Sequence, residues 1–298
     1  MWTLFEPIHA VTYFTPEARE AFEEAGLRGF WRGYFAGRAA PLGAIGTAPV
    51  VASFFMFAPP MVARAVPDVW SRADPQLVLA ARSAGASVAL RRLLGGPADG
   101  GGSGGSGSDG GGAAGPAAAN GAVEEAADLL ESATEDLDCA GRVLGAANAA
   151  LPRPTDPYAR LWQFTTLLRE HRGDGHVAAL VAAGVTGCEA VVWRAALDIP
   201  RATMQPSRGW TDGQWQAATG RLAERGWLDA EGAPTAAGRA RYAEVEEATD
   251  LTAEAPWRRL GPAAVTRLAA VMRPLTLACA AAMPYPNPIG LPPPKKTP

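Results

Sequence analysis

Lysine, cysteine and histidine are all scarce in this sequence. Lysine is nearly absent, so arginine carries almost all of the positive charge, and there are three histidines and three cysteines. The cysteines Cys139, Cys188 and Cys279 lie far apart and form no CxxC pair. This spacing excludes a disulfide framework and the usual zinc-finger motifs, and it favours three reduced, partly buried thiols.

The sequence also lacks a positive net charge and a long uninterrupted apolar run. The formal net charge is −3, so no global basic field attracts the chain to nucleic acid or to an anionic membrane. The most apolar stretch, residues 48–66, is interrupted by Pro49, Pro59 and Pro60 and therefore predicts buried core rather than a membrane span. The N-terminus shows no basic and no apolar part of a signal peptide. We therefore expect a cytoplasmic protein without a membrane partner.

Known catalytic and nucleotide-binding motifs are missing too. No Walker A sequence, Rossmann fingerprint or G-x-S-x-G elbow occurs. The glycines of residues 100–112 lack the preceding strand and the Lys-Ser/Thr pair of a phosphate loop. The sequence therefore assigns neither a cofactor nor a catalytic residue.

The composition nevertheless allows a substantial core. Apolar residues make up 48% of the 298 residues and charged residues 19%, which suits two folded units. A Gly/Ser-rich segment at residues 95–121 contains GGGSGGSGSDGGG and predicts flexible chain, as a linker or as a loop inserted between two helices. The predicted units are an N-terminal helical region (1–94), this segment, a helical and winged-helix-like domain (122–283) and a proline-rich tail (284–298).

The first strong helix signal follows residue 15. Residues 15–17, Thr-Pro-Glu, combine an N-cap, a proline at the first helical position and an acid in the first turn, and they predict a helix to about residue 38. Gly29, Gly33 and Gly37 recur every four residues, although each glycine weakens a helix by ~1 kcal/mol. Their spacing predicts that another helix, or a ligand, approaches closely.

The region after residue 172 has the order of elements of a winged helix. Glycines mark the turns, Thr186, Thr211 and Thr235 are suited to cap helices, and Gly184 separates two short helices like those of a helix-turn-helix. Upstream of this region, Asp156 is likewise suited to cap a helix that runs to about residue 171. The predicted order is a turn at 173–175, helices at 176–183 and 187–197, a loop at 200–209, a helix at 212–225, a short β-wing at 227–235 and a long helix to about 254.

Two resemblances support this interpretation. Residues 225–238, with Arg-Gly-Trp-Leu-Asp followed by a threonine and a glycine, resemble the end of MarR-type regulators, where a recognition helix runs into a β-wing. Residues 6–14, 168–180 and 287–292 resemble an uncharacterised actinobacterial helix-turn-helix family that is called SalK-like. This resemblance implies a fold and a bacterial cytoplasmic setting but no established activity. We therefore predict a mainly α fold, with an N-terminal helical domain and a C-terminal winged-helix domain that has a short β-wing.

The predicted recognition helix offers a possible but mixed DNA surface. Acidic residues, among them Asp212, Glu224 and Asp229, lie between the basic ones, so the shape favours DNA while the charge opposes it. The candidate contacts are Arg208, Gln214, Arg221, Arg225 and Arg239.

A ligand pocket is predicted from polar residues among aromatic ones. Such a mixture is typical of small-molecule sites. If His9 reached the turn between His171 and His176, three imidazoles would suit Zn²⁺, but their spacing matches no ligand motif, so no metal site is assigned. Equally, His171 suits a helix C-terminus and Asp174 suits a helix cap. The candidate pocket residues are Glu6, His9, Tyr13, Arg38, His171, Asp174 and His176.

Three functional hypotheses remain open from the sequence. The first is a regulator that senses a small apolar or aromatic ligand and contacts DNA. The second is a small-molecule-binding protein or enzyme that uses His9, His171 and His176. The third is an interaction protein that acts by forming a homodimer. A contiguous arginine surface would favour the first, and convergence of the histidines in one cavity would favour the second.

Overall fold

The protein is described by a computed structural model of residues 1–95 and 116–293. Those residues form fifteen α-helices and two short 3₁₀ turns, at Ala40–Leu42 and Asp68–Ser71, which confirms the mainly α fold. Most of the predicted Gly/Ser-rich segment, residues 96–115, lies outside the described residues. The helices are α1 (Trp2–Phe14), α2 (Pro16–Glu24), α3 (Phe30–Ala39), α4 (Thr47–Ser53), α5 (Pro59–Ala63), α6 (Pro75–Leu94), α7 (Pro116–Thr134), α8 (Val143–Ala149), α9 (Pro157–Ala182), α10 (Gly187–Leu197), α11 (Arg201–Arg208), α12 (Asp212–Glu224), α13 (Ala236–Thr252), α14 (Ala255–Leu260) and α15 (Pro262–Ala280).

The main core contains helices from both sides of the Gly/Ser-rich segment. Ile8 of α1, Leu90 of α6, Leu130 of α7, Leu161 of α9 and Met272 of α15 are all fully buried in one cluster. α6 precedes residues 96–115 and α7 follows them, so helices from both sides of this segment contribute to one core. The predicted units 1–94 and 122–283 therefore share a core.

The last long helix, α15, is apolar enough and long enough to cross a membrane, judged by length and composition alone. In this structure its apolar side packs into the main core, where Leu268, Met272 and Cys279 have no exposed surface. Buried core helices commonly meet the same criteria of length and apolarity.

The predicted helix over residues 16–38 is wrong, because the chain breaks it into α2 and α3. Gly26 adopts a left-handed φ of 87°, and the amide of Leu27 donates to the Phe22 carbonyl oxygen, which ends α2. The close approach predicted at two of the three glycines is confirmed. A Cβ would lie 2.9 Å from the Phe22 ring at Gly33 and 2.7 Å from it at Gly37.

The predicted turn at residues 173–175 is also wrong. These residues lie inside α9, a single helix of 26 residues. The helix tolerates Gly175 because neighbouring side chains occupy the space that a Cβ would fill. At Gly175 a Cβ would lie 2.7 Å from both Arg142 Nη1 and Thr252 Oγ1. Packing against α8 and α13 therefore outweighs the weak helix propensity of glycine. The predicted cap at Asp156 is confirmed, because its carboxylate accepts from the Ala159 amide at 2.9 Å.

The helix-turn-helix region has a core of its own. The fully buried side chains of Leu180, Trp193, Met204 and Leu222 meet there, drawn from the end of α9 and from α10, α11 and α12. α9 and α10 are bent by 100° across the predicted break at Gly184, which has a left-handed φ. The bend is that of two helices joined by a tight turn. The first of them is the end of α9 and not the separate helix predicted at residues 176–183.

Two predictions in this region need correction. The loop predicted at residues 200–209 is the helix α11, whose Met204 is fully buried and which ends at Gly209 with φ 75°. The predicted β-wing is reduced to a tight turn, because among residues 1–95 and 116–293 no strand forms and Leu228 and Pro234 share one isolated bridge. α12 ends at Glu224 and α13 begins at Ala236, so too few residues flank this bridge for a ladder.

Candidate ligand cavity and helix-turn-helix

A cavity of about 180 Å³ lies between the N-terminal helices, α9 and the helix-turn-helix. Its walls come from α1, α3, the segment after α4, the second half of α9, the ends of α10 and α11, and the tail residues Pro288 and Ile289. Polar and aromatic side chains alternate around it. The charged residues in its walls are Glu6, Arg38, Arg169, Glu170, Arg172, Asp174, Arg194 and Arg208.

A buried ion cluster forms one side of the cavity. Glu170 on α9 accepts two hydrogen bonds from Arg38 on α3, Nε–Oε1 at 2.9 Å and Nη2–Oε2 at 2.8 Å. Arg169 donates to the same carboxylate at 2.9 Å and lies 3.6 Å from Glu6 Oε1. Burial alone would raise the pKa of Glu170, but Arg169 and Arg38 outweigh it and hold that pKa well below its usual range.

Arg208, the last residue of α11, forms the opposite side. Its Nη2 donates to the Pro288 carbonyl oxygen at 2.7 Å, and its Nη1 donates to the Ser207 backbone oxygen at 3.2 Å. The guanidinium lies 4.8 Å from the centre of the Phe57 ring. Within the described part of the chain, its buried Nε has no hydrogen-bond acceptor. Burial, together with nearby arginines, lowers the pKa of Arg208 to about 10.

The aromatic wall is a packed group of rings. Tyr34 lies 5.6 Å from Trp31, 5.5 Å from Phe57 and 5.0 Å from Tyr13, measured between ring centroids. Arg38 Nη1 donates to the Tyr34 hydroxyl at 3.1 Å. Burial alone would raise the pKa of Tyr34, but the surrounding arginines lower it below its usual value. This side of the cavity combines apolar faces with an electropositive field.

The candidate helix-turn-helix is the pair α11 and α12, whose second helix is the predicted recognition helix. Gly209 ends α11 in a left-handed conformation, and the Thr211 hydroxyl accepts from the Gln214 amide at 3.3 Å to start α12. On α12, Trp215, Ala218 and Leu222 are buried against the core of this region. The opposite face is exposed and presents Asp212, Gly213, Gln216, Ala217, Gly220, Arg221 and Glu224.

The helix-turn-helix contacts the cavity wall directly. The Arg208 carbonyl oxygen accepts from the Ala58 amide at 2.9 Å, and Trp210 Nε1 donates to the Met56 carbonyl oxygen at 2.9 Å. At Gly187, the first residue of α10, a Cβ would overlap the Phe55 carbonyl oxygen. Residues 55–58 are thus fixed to the turn between α11 and α12.

Comparison with known families agrees with this arrangement. A helix-turn-helix family matches residues 1–286, nearly all of the described chain. The chain belongs to this helix-turn-helix family. No curated protein matches it, and no solved structure does.

Five of the seven predicted pocket residues of this helix-turn-helix protein line the cavity together: Glu6, Tyr13, Arg38, Asp174 and His176. His9 and His171 lie outside it. His9 is buried, stacks on Trp162 at 6.2 Å and hydrogen-bonds to Thr166 Oγ1 at 2.8 Å and to the Tyr13 hydroxyl at 2.9 Å. Burial lowers the pKa of His9 well below its usual value, so the imidazole is neutral at pH 7.

The other two histidines have different partners. His171 Nε2 lies 3.2 Å from the Asp138 carbonyl oxygen, and His176 Nδ1 lies 3.0 Å from Thr249 Oγ1. Burial lowers the pKa of each to about 4. Within the described chain, no three His, Cys, Asp or Glu side chains are grouped to hold a metal ion.

Asp174 caps a helix, although not the one that was predicted. Its Oδ2 accepts from the Gly145 amide at 2.8 Å, in the first turn of α8. Burial raises the pKa of Asp174 to about 6, against the opposing effect of this hydrogen bond. The cysteines are ordinary thiols, as predicted, since all three are free and burial raises the pKa of each.

The predicted DNA contacts separate into two groups. Arg208 lies in the cavity wall rather than on the exposed face of α12, because α11 points its C-terminus at Phe57. Gln214 is used in the cap of α12, where its Oε1 accepts from the Thr211 amide at 3.0 Å. Arg221, Arg225 and Arg239 have exposed side chains.

Even the exposed arginines are mostly paired. Arg221 Nε lies 2.5 Å from Glu189 Oε1 and Arg225 Nη2 lies 3.9 Å from Glu189 Oε2. Glu189 is fully buried at the start of α10. In the parts of the chain that the structure describes, Arg239 forms no ion pair.

Sequence reasoning missed several cavity residues, among them Trp2, Arg169, Glu170, Arg172 and Arg194. A signal for Arg169 was present, because the charged pair Arg169 and Glu170 directly follows the mainly apolar residues 161–168 on α9. Arg194 gives no such signal, since α10 reaches the cavity only through its bend against α9.

Proposed function

We propose that this protein is a cytoplasmic, ligand-responsive transcriptional regulator of the SalK-like kind, in which α12 contacts DNA and the cavity receives a small molecule. Family membership supports the DNA-binding part. The position of Arg208 supports a coupling between ligand binding and DNA binding. This residue ends the first helix of the helix-turn-helix and is also a wall of the cavity.

The coupling has a direct physical route. A ligand that contacts Arg208 or residues 55–58 acts on the hydrogen bonds that fix the turn before α12. A ligand alters DNA affinity only by as much as its own affinity differs between the two states of the protein. Displacement of Arg208 by a bound ligand would supply such a difference without a long pathway.

The alternative function, a binding protein or enzyme that uses His9, His171 and His176, has weaker support. Of these three histidines only His176 lines the cavity, and its Nδ1 faces Thr249. Burial also lowers the pKa of His176 to about 4, below the range in which a general base works near pH 7.

The test is binding of the full chain to fragmented genomic DNA across a salt series. We expect binding at low salt that weakens as salt rises, with a slope that corresponds to about two to four phosphate contacts, because few arginines on this face lack a partner. Ala217→Glu places a negative charge on the exposed face of α12 and should abolish binding.

Ala270→Glu makes the same change at an exposed position on α15 and is the matched control. It should leave DNA binding unchanged. Equal effects of the two substitutions, or no DNA binding even at low salt, would overturn the proposal. Light scattering on the same samples determines whether the chain binds as a monomer or as the homodimer that the sequence left open.

A further inference from the structure

The charges around the cavity do not balance. Five arginines line it, against the three carboxylates of Glu6, Glu170 and Asp174. Burial raises the pKa of Glu6 and of Asp174, so these two acids give up their protons less readily than exposed carboxylates do. The cavity is therefore electropositive before any ligand enters it.

The excess is concentrated on Arg208. Four of the five arginines have carboxylate partners: Arg38 and Arg169 pair with Glu170, Arg172 with Asp250, and Arg194 with Asp198 at 3.5 Å. Among residues 1–95 and 116–293, no carboxylate lies within ion-pair distance of Arg208. A largely buried guanidinium without a counter-ion is costly, and a ligand anion would remove that cost.

The shape of the cavity limits the rest of the ligand. A closed apolar cavity of ~150 Å³ holds one benzene molecule, and this cavity is about 180 Å³. Its walls near Arg208 are the rings of Phe57, Trp31 and Tyr34, which favour a flat apolar body. The free space therefore suits one aromatic ring with a short acidic substituent.

We propose that the cavity binds an organic anion with a single aromatic ring, with the carboxylate or a similar acidic group on Arg208 and the ring against Phe57, Trp31 and Tyr34. This assignment deepens the proposed function, since it names the class of ligand for the same site. Arg208 is then a ligand-binding residue, although its place before α12 suggested a DNA contact.

The test is calorimetric titration of the full chain with phenylacetate and with phenylacetamide, its uncharged analogue. For an acid of about ten heavy atoms we expect a Kd of roughly 0.1–1 mM. The amide should bind about ten- to a hundred-fold more weakly, because it forgoes the charged hydrogen bond. Cyclohexylacetate, which keeps the charge and loses the flat ring, should also bind more weakly than phenylacetate.

Arg208→Gln should reduce the affinity for phenylacetate to that for the amide, and Arg208→Lys should retain part of the preference. Arg239→Gln, at an exposed arginine outside the cavity, is the matched control and should change nothing. Arg208→Gln should be at least as resistant to urea as the native chain, because it removes a buried charge that has no counter-ion. If Arg208→Gln did not fold, Arg208→Lys would carry the test.

Two outcomes would overturn the ligand assignment: equal affinity for acid and amide, or no binding of either at millimolar concentration. These outcomes are distinguishable from failure of the proposed function. DNA binding without anion preference would contradict only the ligand class. Arginine-dependent anion binding without DNA binding would contradict only the regulator.

Discussion

Five arginines line the cavity and five surround α12, yet the two sets differ in burial and in ion pairing. The cavity set is largely buried and outnumbers its carboxylates. The helix-turn-helix set, Arg201, Arg221, Arg225, Arg239 and Arg241, lies toward solvent, and four of its members pair with Asp212, Glu189 or Glu244. The positive charge around α12 is thus mostly neutralised, while Arg208 in the cavity wall has no carboxylate partner among the described residues.

The two sets should also differ in energy. Both charges of a buried ion pair have lost their hydration. Removal of one partner therefore leaves an uncompensated charge in the protein interior, which strongly lowers the free energy of unfolding. Removal of one partner of an exposed ion pair costs little stability, because water solvates the charge that remains. Glu170 and Glu244 therefore represent opposite extremes of the same type of interaction.

The largest effect is expected for Glu170→Gln. This substitution leaves Arg38 and Arg169 without their shared carboxylate and should lower the free energy of unfolding by about 3–5 kcal/mol, as measured by urea denaturation. Glu244→Gln breaks the exposed pair with Arg241 and should cost at most about 0.5 kcal/mol. Similar losses for the two variants would remove the distinction between the two arginine sets.

The next largest effect is expected at the contact between α10 and the cavity wall. Gly187→Ala puts a Cβ onto the Phe55 carbonyl oxygen and should destabilise the protein by about 1–3 kcal/mol through overpacking. Gly213 lies in the first turn of α12 with open space around it, so Gly213→Ala should stabilise by about 0.5–1 kcal/mol. Thermal unfolding measures both, and a neutral Gly187→Ala would show that the cavity wall and α10 separate easily.

A smaller effect is expected from the pH dependence of Asp174. Because its pKa is raised to about 6 on folding, the folded state binds the proton more tightly than the unfolded state. The contribution of this carboxyl to stability is therefore present below about pH 4 and is lost as the pH rises through 6. Asp174→Asn should stabilise the protein by about 1 kcal/mol at pH 7.5 and make no difference at pH 4.

The control for that experiment is Asp128→Asn on α7, whose side chain is mostly exposed. Its effect should stay below about 0.5 kcal/mol at both pH values. Denaturation curves recorded from pH 4 to pH 7.5 decide the matter. A constant offset between native and Asp174→Asn curves would show that the substitution acts through the cap of α8 and not through charge.

The smallest effect is expected on DNA affinity, from a charge on the exposed face of α12. Glu224→Gln removes one exposed negative charge from α12 and should raise DNA affinity about two- to five-fold at low salt, with the gain lost as salt screens it. Glu20→Gln, at an exposed site on α2, should leave the affinity unchanged. A decrease for Glu224→Gln would mean that this carboxylate accepts from a base and is itself a contact.

The sequence predicted best what short-range chemistry determines. Thr186, Thr211, Thr235 and Asp156 were identified as helix caps, and each side chain accepts from the expected backbone amide. Such contacts span only three residues, so that local spacing is sufficient to find them. The close approach at Gly33 and Gly37 followed from the cost of glycine in a helix.

The predictions that were wrong concern residues whose structure depends on contacts with distant parts of the chain. Gly173 and Gly175 suggested a turn, but α9 continues through both, and Arg142 and Thr252 fill the space beside Gly175. Residues 200–209 suggested a loop because of their prolines, yet burial of Met204 makes them helical. The role of Arg208 could not be read from its neighbours, since Phe57 and Pro288 are its partners.

The tail that crosses the cavity has a consequence for synthesis of the protein. Pro288 and Ile289 form one wall, and the space beside Gly290 is occupied by the Arg194 side chain. On a ribosome, the helices of the other walls emerge well before these residues are translated. Until Pro288 and Ile289 have also emerged, a nascent chain lacks this wall and the Pro288 carbonyl oxygen that pairs with Arg208, so the cavity is completed last.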